Sequence, residues 1–389
     1  MPLSACRRAE TLSLDAATAA MELARQLEHP HLGYVLFFCS AEYDLPALEH
    51  ELKHRFRQSI AVFGCTTAGE ITPAGYQRRC ISAVGLDHRY FRISHRLLQD
   101  LEHVDFVTAQ EVVDQLIISN TRCGVGNVRS QSFALTLLDG LSSKEELVLS
   151  ALSATLADIP HFGGSAGDDN HLSETYVFCD GAFHTDAAIV MLITTTLPFE
   201  VFTTHHLLPT DIKLVVTEAD RDTRTVKALN GLPAADAYAS ALGIPTEQLN
   251  DVVFACSPLA VRFSDEFYVR SIQRVNADKS LTFYCAVDRG IVLTLMAADN
   301  IVENLARMLE CRQKRLGNHS IVIAADCFLR REEVNARHLQ EPMSQLLRQH
   351  RVMGFNSYGE HIDGMHINQT FTAVRLGTTD QASHELNHD

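Results

Sequence analysis

The chain has 389 residues, 46% hydrophobic and 21% charged, with a net charge of −15 at pH 7. Such a length exceeds one compact core, so two or three domains are expected in an ordinary globular composition. The acidic balance argues against nucleic acid or an anionic membrane as a partner, and no run of eighteen apolar residues offers a membrane-inserting span.

The N-terminus, MPLSACRRAETLS, lacks the apolar core of a signal peptide, which points to the cytoplasm. Leu12–Leu27 has helical spacing (Leu12, Ala16, Ala20, Leu23, Leu27), and such a stripe predicts a helix that docks. The apolar run Tyr34–Cys39 then reads as a buried strand, followed by an amphipathic stretch at about Leu45–Arg57 and the short run Ile60–Phe63. A glycine turn, FGCTTAGE at Phe63–Glu70, precedes a strand at Ile81–Leu86.

The same order recurs twice. Phe133–Leu138 is a buried-strand pattern and Lys144–Ala157 a helical one. The turn FGGSAGD at Phe162–Asp168 follows, with strands at Thr175–Cys179 and Ala187–Thr194. Near the C-terminus come Ile321–Asp326, a helix at about Glu332–Arg351, the turn Gly354–Glu360 and a strand at Thr370–Leu376. Gly64, Gly69 and Glu70 return as Gly354, Gly359 and Glu360, and Ala83, Val84 and Leu86 as Ala373, Val374 and Leu376. A repeated unit of this kind predicts an α/β (or α+β) fold, with strand–helix–strand units in two packed domains with mixed sheets.

Between the second and third copies the pattern changes after Pro198–Pro209. A strand at Lys213–Thr217, a turn at Glu218–Thr223 and a strand at Val226–Leu229 lead to a helix at about Ala234–Leu242. Further strands are predicted at Val252–Ala255, Phe267–Ile272 and Leu281–Cys285. The expected division is a helical segment at 1–29, domains at 30–200 and 201–377, and a polar tail at 378–389.

Ten cysteines are scattered singly. Cys39, Cys179, Cys285 and Cys327 lie in apolar runs and read as buried, inert thiols. No hydrolase elbow, P-loop, zinc-protease or dinucleotide motif is present, so no enzyme activity is expected. Ser165 has no identifiable base, and a nucleophile at Cys65 is conceivable because it sits among small residues in a turn. The glycine turns admit two readings. They either permit tight connections, with their acids capping the next element, or present amides to a polar ligand. Glu70, Asp168, Asp169 and Glu360 would then suit an amine rather than an anion.

Several segments together resemble the FIST family of paired FIST N and FIST C sensory domains. They are FGCTTAGE at 63–70, FGGSAGDD at 162–169, DGAFHTDAAIVML at 180–192 and HHLLPTDIKLVVTEAD at 205–220. LNGLPAADAYASALG at 229–243, GFNSYGEH at 354–361 and HINQTFTAV at 366–374 complete the set. The resemblance implies a ligand sensor in signal transduction. One branch of the family is similar to haem-binding nitric oxide sensors that act on a separate histidine kinase or cyclic-di-GMP enzyme in biofilm control. It implies haem b as cofactor and nitric oxide as the sensed ligand. The other reading is a haem-free module for a small metabolite such as an amino acid. Where family members often carry His-Gly-x-x-Pro, this chain has His205-His206-Leu207-Leu208-Pro209, so His206 replaces a glycine.

A haem iron in a sensor is commonly held by one neutral imidazole, and a single ligand obeys no spacing rule. Context ranks the nineteen histidines. His184 precedes an apolar strand, and His205 and His206 lie at the domain junction, where only one of two neighbours can face a pocket. His361 and His366 flank the third glycine turn. The cofactor-binding candidates are therefore His184, His205, His206 and His366, with His184 and His206 as candidate iron ligands. For any one of them taken alone, a surface or hydrogen-bonded imidazole is the ordinary alternative.

Overall fold

The computed structural model describes residues 5–122 and 124–378. The chain is α/β, with repeated units in two packed domains and mixed sheets. The repeat proves longer than its glycine turn suggests. Its first copy runs strand Cys6–Thr11, helix Ala16–Leu27, strand Leu32–Ser40, helix Leu45–Arg55, strand Ala61–Thr67, a short hairpin, and strand Ile81–Asp87. The second runs Phe91–Gln99, helix Phe106–Thr121, Ser132–Leu138, helix Glu145–Leu156, His161–Ser165, a hairpin, and Ala187–Thr195. The third begins with Phe199–Thr204, resumes at helix Ile301–Leu316 and strand Ile321–Cys327, and ends with Val352–Ser357, a hairpin and Phe371–Leu376.

Each copy builds one sheet around a parallel pair, with Phe37 opposite Gly64, Thr136 opposite Gly163, and Ala324 opposite Gly354. An antiparallel strand flanks the first member of each pair, and the leading strand of the copy lies beyond it. The hairpins are exchanged in a circle. The hairpin of the first copy, Glu70–Gln77, joins the third sheet against Gly354 and Phe355. That of the second, Val177–His184, joins the first sheet against Gly64 and Cys65. That of the third, Glu360–Ile367, joins the second sheet against Phe162–Gly164. The inner faces of the three sheets share one apolar core that includes Leu36, Phe63, Phe133, Phe162, Met191, Ile323, Phe355 and Val374. It is close-packed: the void at its centre measures about 10 Å³ and is walled by apolar side chains, in keeping with interiors generally.

The eight-stranded sheet of residues 207–298 interrupts the third copy between its leading strand and helix Ile301–Leu316. It is antiparallel throughout and packs its own core from Leu214, Val226, Tyr238, Phe254, Leu281 and Leu293.

Local chemistry explains where the structure departs from the periodic pattern. Val252–Ala255, expected as a strand, lies in helix Asp251–Cys256, because the Asn250 side chain accepts from the Val253 amide at 3.1 Å and starts a helix. The single helix expected at Glu332–Arg351 is two, Phe328–Ala336 and Gln340–Gln349, parted where His338 takes a left-handed φ of 57°. Helix Ala16–Leu27 starts later than Leu12, since Thr11 ends a strand and Asp15 caps the helix through the Thr18 amide. The expected tail at 378–389 lies outside the described residues but for residue 378.

Candidate ligand-sensing site

The three glycine turns meet at one end of the sheets and bond to one another. The Ala68 amide donates to the Asn356 carbonyl and the Asn356 amide to Gly69. The Gly167 amide donates to Thr66, the Ser165 amide to Gly359 and the Tyr358 amide to Ser165. Amides so engaged cannot cradle a ligand. The glycines allow close approach instead: a Cβ on Gly167 would lie 2.5 Å from the Ala68 nitrogen.

The acids that follow the turns have two different fates. Glu70 accepts from the Thr67 hydroxyl at 2.6 Å and lies 3.1 Å from the Cys80 sulfur. Glu360 accepts from the Ser357 hydroxyl at 2.6 Å and the Thr370 hydroxyl at 2.9 Å. Both are wholly buried, and desolvation, only partly offset by these bonds, pushes each carboxyl up to about 8. At neutral pH they are largely protonated and offer no counter-charge to an amine. Asp168 differs. Burial works against its charge, but the Tyr358 hydroxyl and the amides of Leu172, Ser173 and Glu174 outweigh it, so its pKa falls below the ordinary value. Asp168 borders an open groove of about 730 Å³ whose lining includes Tyr43, Asp44, Glu49, Glu174 and Tyr176. Asp169 is bound to the Ser40 hydroxyl at 2.6 Å and the Ala41 amide at 3.0 Å.

The candidate histidines separate by which ring nitrogen is free. His206 is buried with both nitrogens engaged: Nε2 lies 2.7 Å from Glu333 Oε2, and Arg330 donates to Nδ1 at 3.1 Å. Arg330 in turn binds Asp326 at 2.7 Å, and Asp326 accepts from the Tyr76 hydroxyl, so His206 belongs to a buried ionic chain. His205 uses Nδ1 to accept from the Leu207 amide at 3.3 Å, which puts the ring proton on Nε2. Burial, then Arg330, keeps that ring neutral. His366 has Nδ1 3.0 Å from Glu146 Oε1, and its Nε2 is buried against Gly359, where a Cβ would come within 2.2 Å. His361 sets Nε2 3.2 Å from the Thr136 carbonyl and packs its ring on His161 at 4.7 Å, fully enclosed. His184 alone of these is partly exposed with a free lone pair. Its Nε2 is 3.3 Å from the Cys179 carbonyl, an acceptor only, so the proton sits there and Nδ1 is left without a hydrogen bond among the described residues. A metal-bound imidazole has this arrangement, its second nitrogen donating to a backbone carbonyl. Of the candidates, His184 has a ring nitrogen to offer an iron as it stands, whereas His206 and His366 would first have to give up the bonds just described.

Neither candidate nucleophile is activated. Burial first, then Glu70, pushes the Cys65 thiol well above its ordinary value. Ser165 is buried without an imidazole or carboxylate bonded to its hydroxyl among the described residues. Sequence reasoning missed the chain Tyr76–Asp326–Arg330–His206–Glu333, and Glu146 beside His366. Asp326, Arg330 and Glu333 are neighbours in the third repeat, Asp326 and Arg330 four residues apart, but Tyr76 comes from the first repeat, His206 from the start of the insertion and Glu146 from the second repeat, and spacing along the chain carries no trace of those joins.

Residues 33–232 match the FIST N domain model and residues 234–363 the FIST C domain model. The paired domains define a sensory module of signal transduction that binds small ligands. The chain belongs to the FIST family. No curated protein matches it. No described helix is long and apolar enough to cross a membrane.

Proposed function

We propose that the chain is a cytoplasmic sensor that binds haem b through His184 and responds to nitric oxide, acting on a separate histidine kinase or cyclic-di-GMP enzyme. The observation that carries this reading is the His184 imidazole, with Nε2–H on the Cys179 carbonyl and Nδ1 open. Ferrous haem supplies the iron that nitric oxide binds. The chain supplies a ligand seated on an exchanged hairpin: His184 opposes Val177, and Val177 opposes Cys65 of the first repeat. A shift of this imidazole is thus carried from the second repeat into the first. Coupling to a partner is reciprocal, so a bound kinase changes ligand affinity in turn.

The test is a hemin titration of the purified chain, followed by reduction and exposure to nitric oxide. A saturable Soret band that moves with nitric oxide, and is lost in His184→Ala but kept in His205→Ala, is the expected result. A chain with no saturable band sinks the proposal. The groove beside Asp168 favours a second reading, a haem-free module for a small metabolite that bears an amine, such as an amino acid held by its ammonium group, because four of its lining residues are carboxylates (Asp44, Glu49, Asp168 and Glu174). A shift in melting temperature with amino acids, lost in Asp168→Asn, would mark that alternative.

A further inference from the structure

Three side chains from remote parts of the chain meet where the second repeat touches the inserted sheet. Glu146 stands in the first turn of helix Glu145–Leu156, Cys285 follows strand Leu281–Phe283, and His366 lies in hairpin strand Met365–Ile367. The Cys285 sulfur, a His366 ring nitrogen and a Glu146 carboxylate oxygen all lie within 4.8 Å of one another. Cys285 and His366 are buried, and the Asn368 amide oxygen is 3.0 Å from the sulfur. His366 Nε2 is buried against Gly359 with no hydrogen-bond partner among the described residues, so Nδ1, 3.0 Å from Glu146 Oε1, is the nitrogen that faces the cluster.

We propose that Glu146, Cys285 and His366 bind one zinc-class divalent cation, which clasps the second repeat, the inserted sheet and the third hairpin together. A thiolate, an imidazole and a carboxylate form a ligand set of zinc type, whereas magnesium and calcium take oxygen ligands. Tetrahedral ligands of zinc stand roughly 3.5 Å apart, so the cluster closes on an ion by small side-chain rotations in which the ion takes the place of the proton between His366 Nδ1 and Glu146. The Asn368 oxygen or a water completes the fourth position.

Arg224 donates to both Glu145 and Glu146 at 2.6 Å, so two carboxylates face one guanidinium and Glu146 keeps a lone pair for the ion. On binding, the Cys285 thiol gives up its proton, because the thiolate is the metal ligand.

The test uses the untagged 389-residue chain, stripped with a chelator and titrated with Co²⁺ without hemin, so its outcome is independent of the haem reading. The expected result is one equivalent of cobalt with a thiolate-to-cobalt charge-transfer band, displaced by Zn²⁺. Cys285→Ser and Cys285→Ala should abolish the band, and Glu146→Gln should weaken binding about tenfold or more. Cys179→Ala, at the separate group His95, Cys179 and Asp180, should leave it intact. Absence of a charge-transfer band, or a band that survives both Cys285 variants, overturns the proposal.

Discussion

Glu70 and Glu360 occupy the same place in two repeats and share the same protonation. In the unfolded chain each ionises near 4.5; in the fold each keeps its proton to about 8. Between those values the folded state binds more protons, so stability is fully present below the lower one and falls as pH rises through the upper one. His161, whose pKa burial lowers to about 3 from 6.5, acts in the opposite sense and loses stability as pH falls below its unfolded value. The expected melting profile therefore declines from near pH 6 toward pH 8, and Glu360→Gln should flatten that limb; thermal melts across pH decide it. The chain through Arg330 makes a second prediction at this scale. Arg330 is wholly buried between Asp326 and His206. Arg330→Ala leaves Asp326 uncompensated and should cost about 3–5 kcal/mol by denaturant unfolding.

Among the elements, the exchanged hairpins impose the strictest demands. Gly354 sits between a parallel neighbour and the incoming hairpin of the first repeat, at a φ of 149°, with Ala324 oxygen 1.9 Å from where a Cβ would stand. Gly354→Ala should cost about 3 kcal/mol or more, because it combines strain with a backbone clash. Chemical denaturation that shows a loss below about 1 kcal/mol would contradict this close fit. These glycines are also why the repeat was legible: a position with no room for a Cβ keeps its residue, and Gly64 and Gly354 announce each other across the chain. The leading strand and helix of each copy carry no such mark. Phe91–Gln99, Phe106–Thr121 and Ile301–Leu316 were not anticipated, and Cys6–Thr11 was hidden beside a helix read as a separate segment. The histidine ranking was half legible in the same way. Position could favour His184, but only the fold shows that His206 has no nitrogen to offer. Cys285 read as inert because its apolar run says nothing of Glu146 or His366.

At the scale of the molecule, no repeat completes its own sheet. The first waits for Val177–His184, the second for Glu360–Ile367 and the third for Glu70–Gln77. A fragment limited to residues 33–232 lacks both the hairpin that closes its second sheet and the sheet that receives its first hairpin. It is expected to show no cooperative calorimetric transition, whereas the intact chain should melt its three sheets as one unit. Two well-separated transitions in the intact chain would argue against that unity.

The circular exchange also sets a timetable for synthesis. Tyr76 finds its partner Ser344 268 residues later, and the first hairpin leaves the ribosome long before the sheet it belongs to exists. For most of translation at least one sheet edge stands open, with a nascent apolar strand beside it. The last hairpin made, Glu360–Ile367, is the one that closes the ring, so a ribosome stalled before it holds a chain whose second sheet still has an open edge.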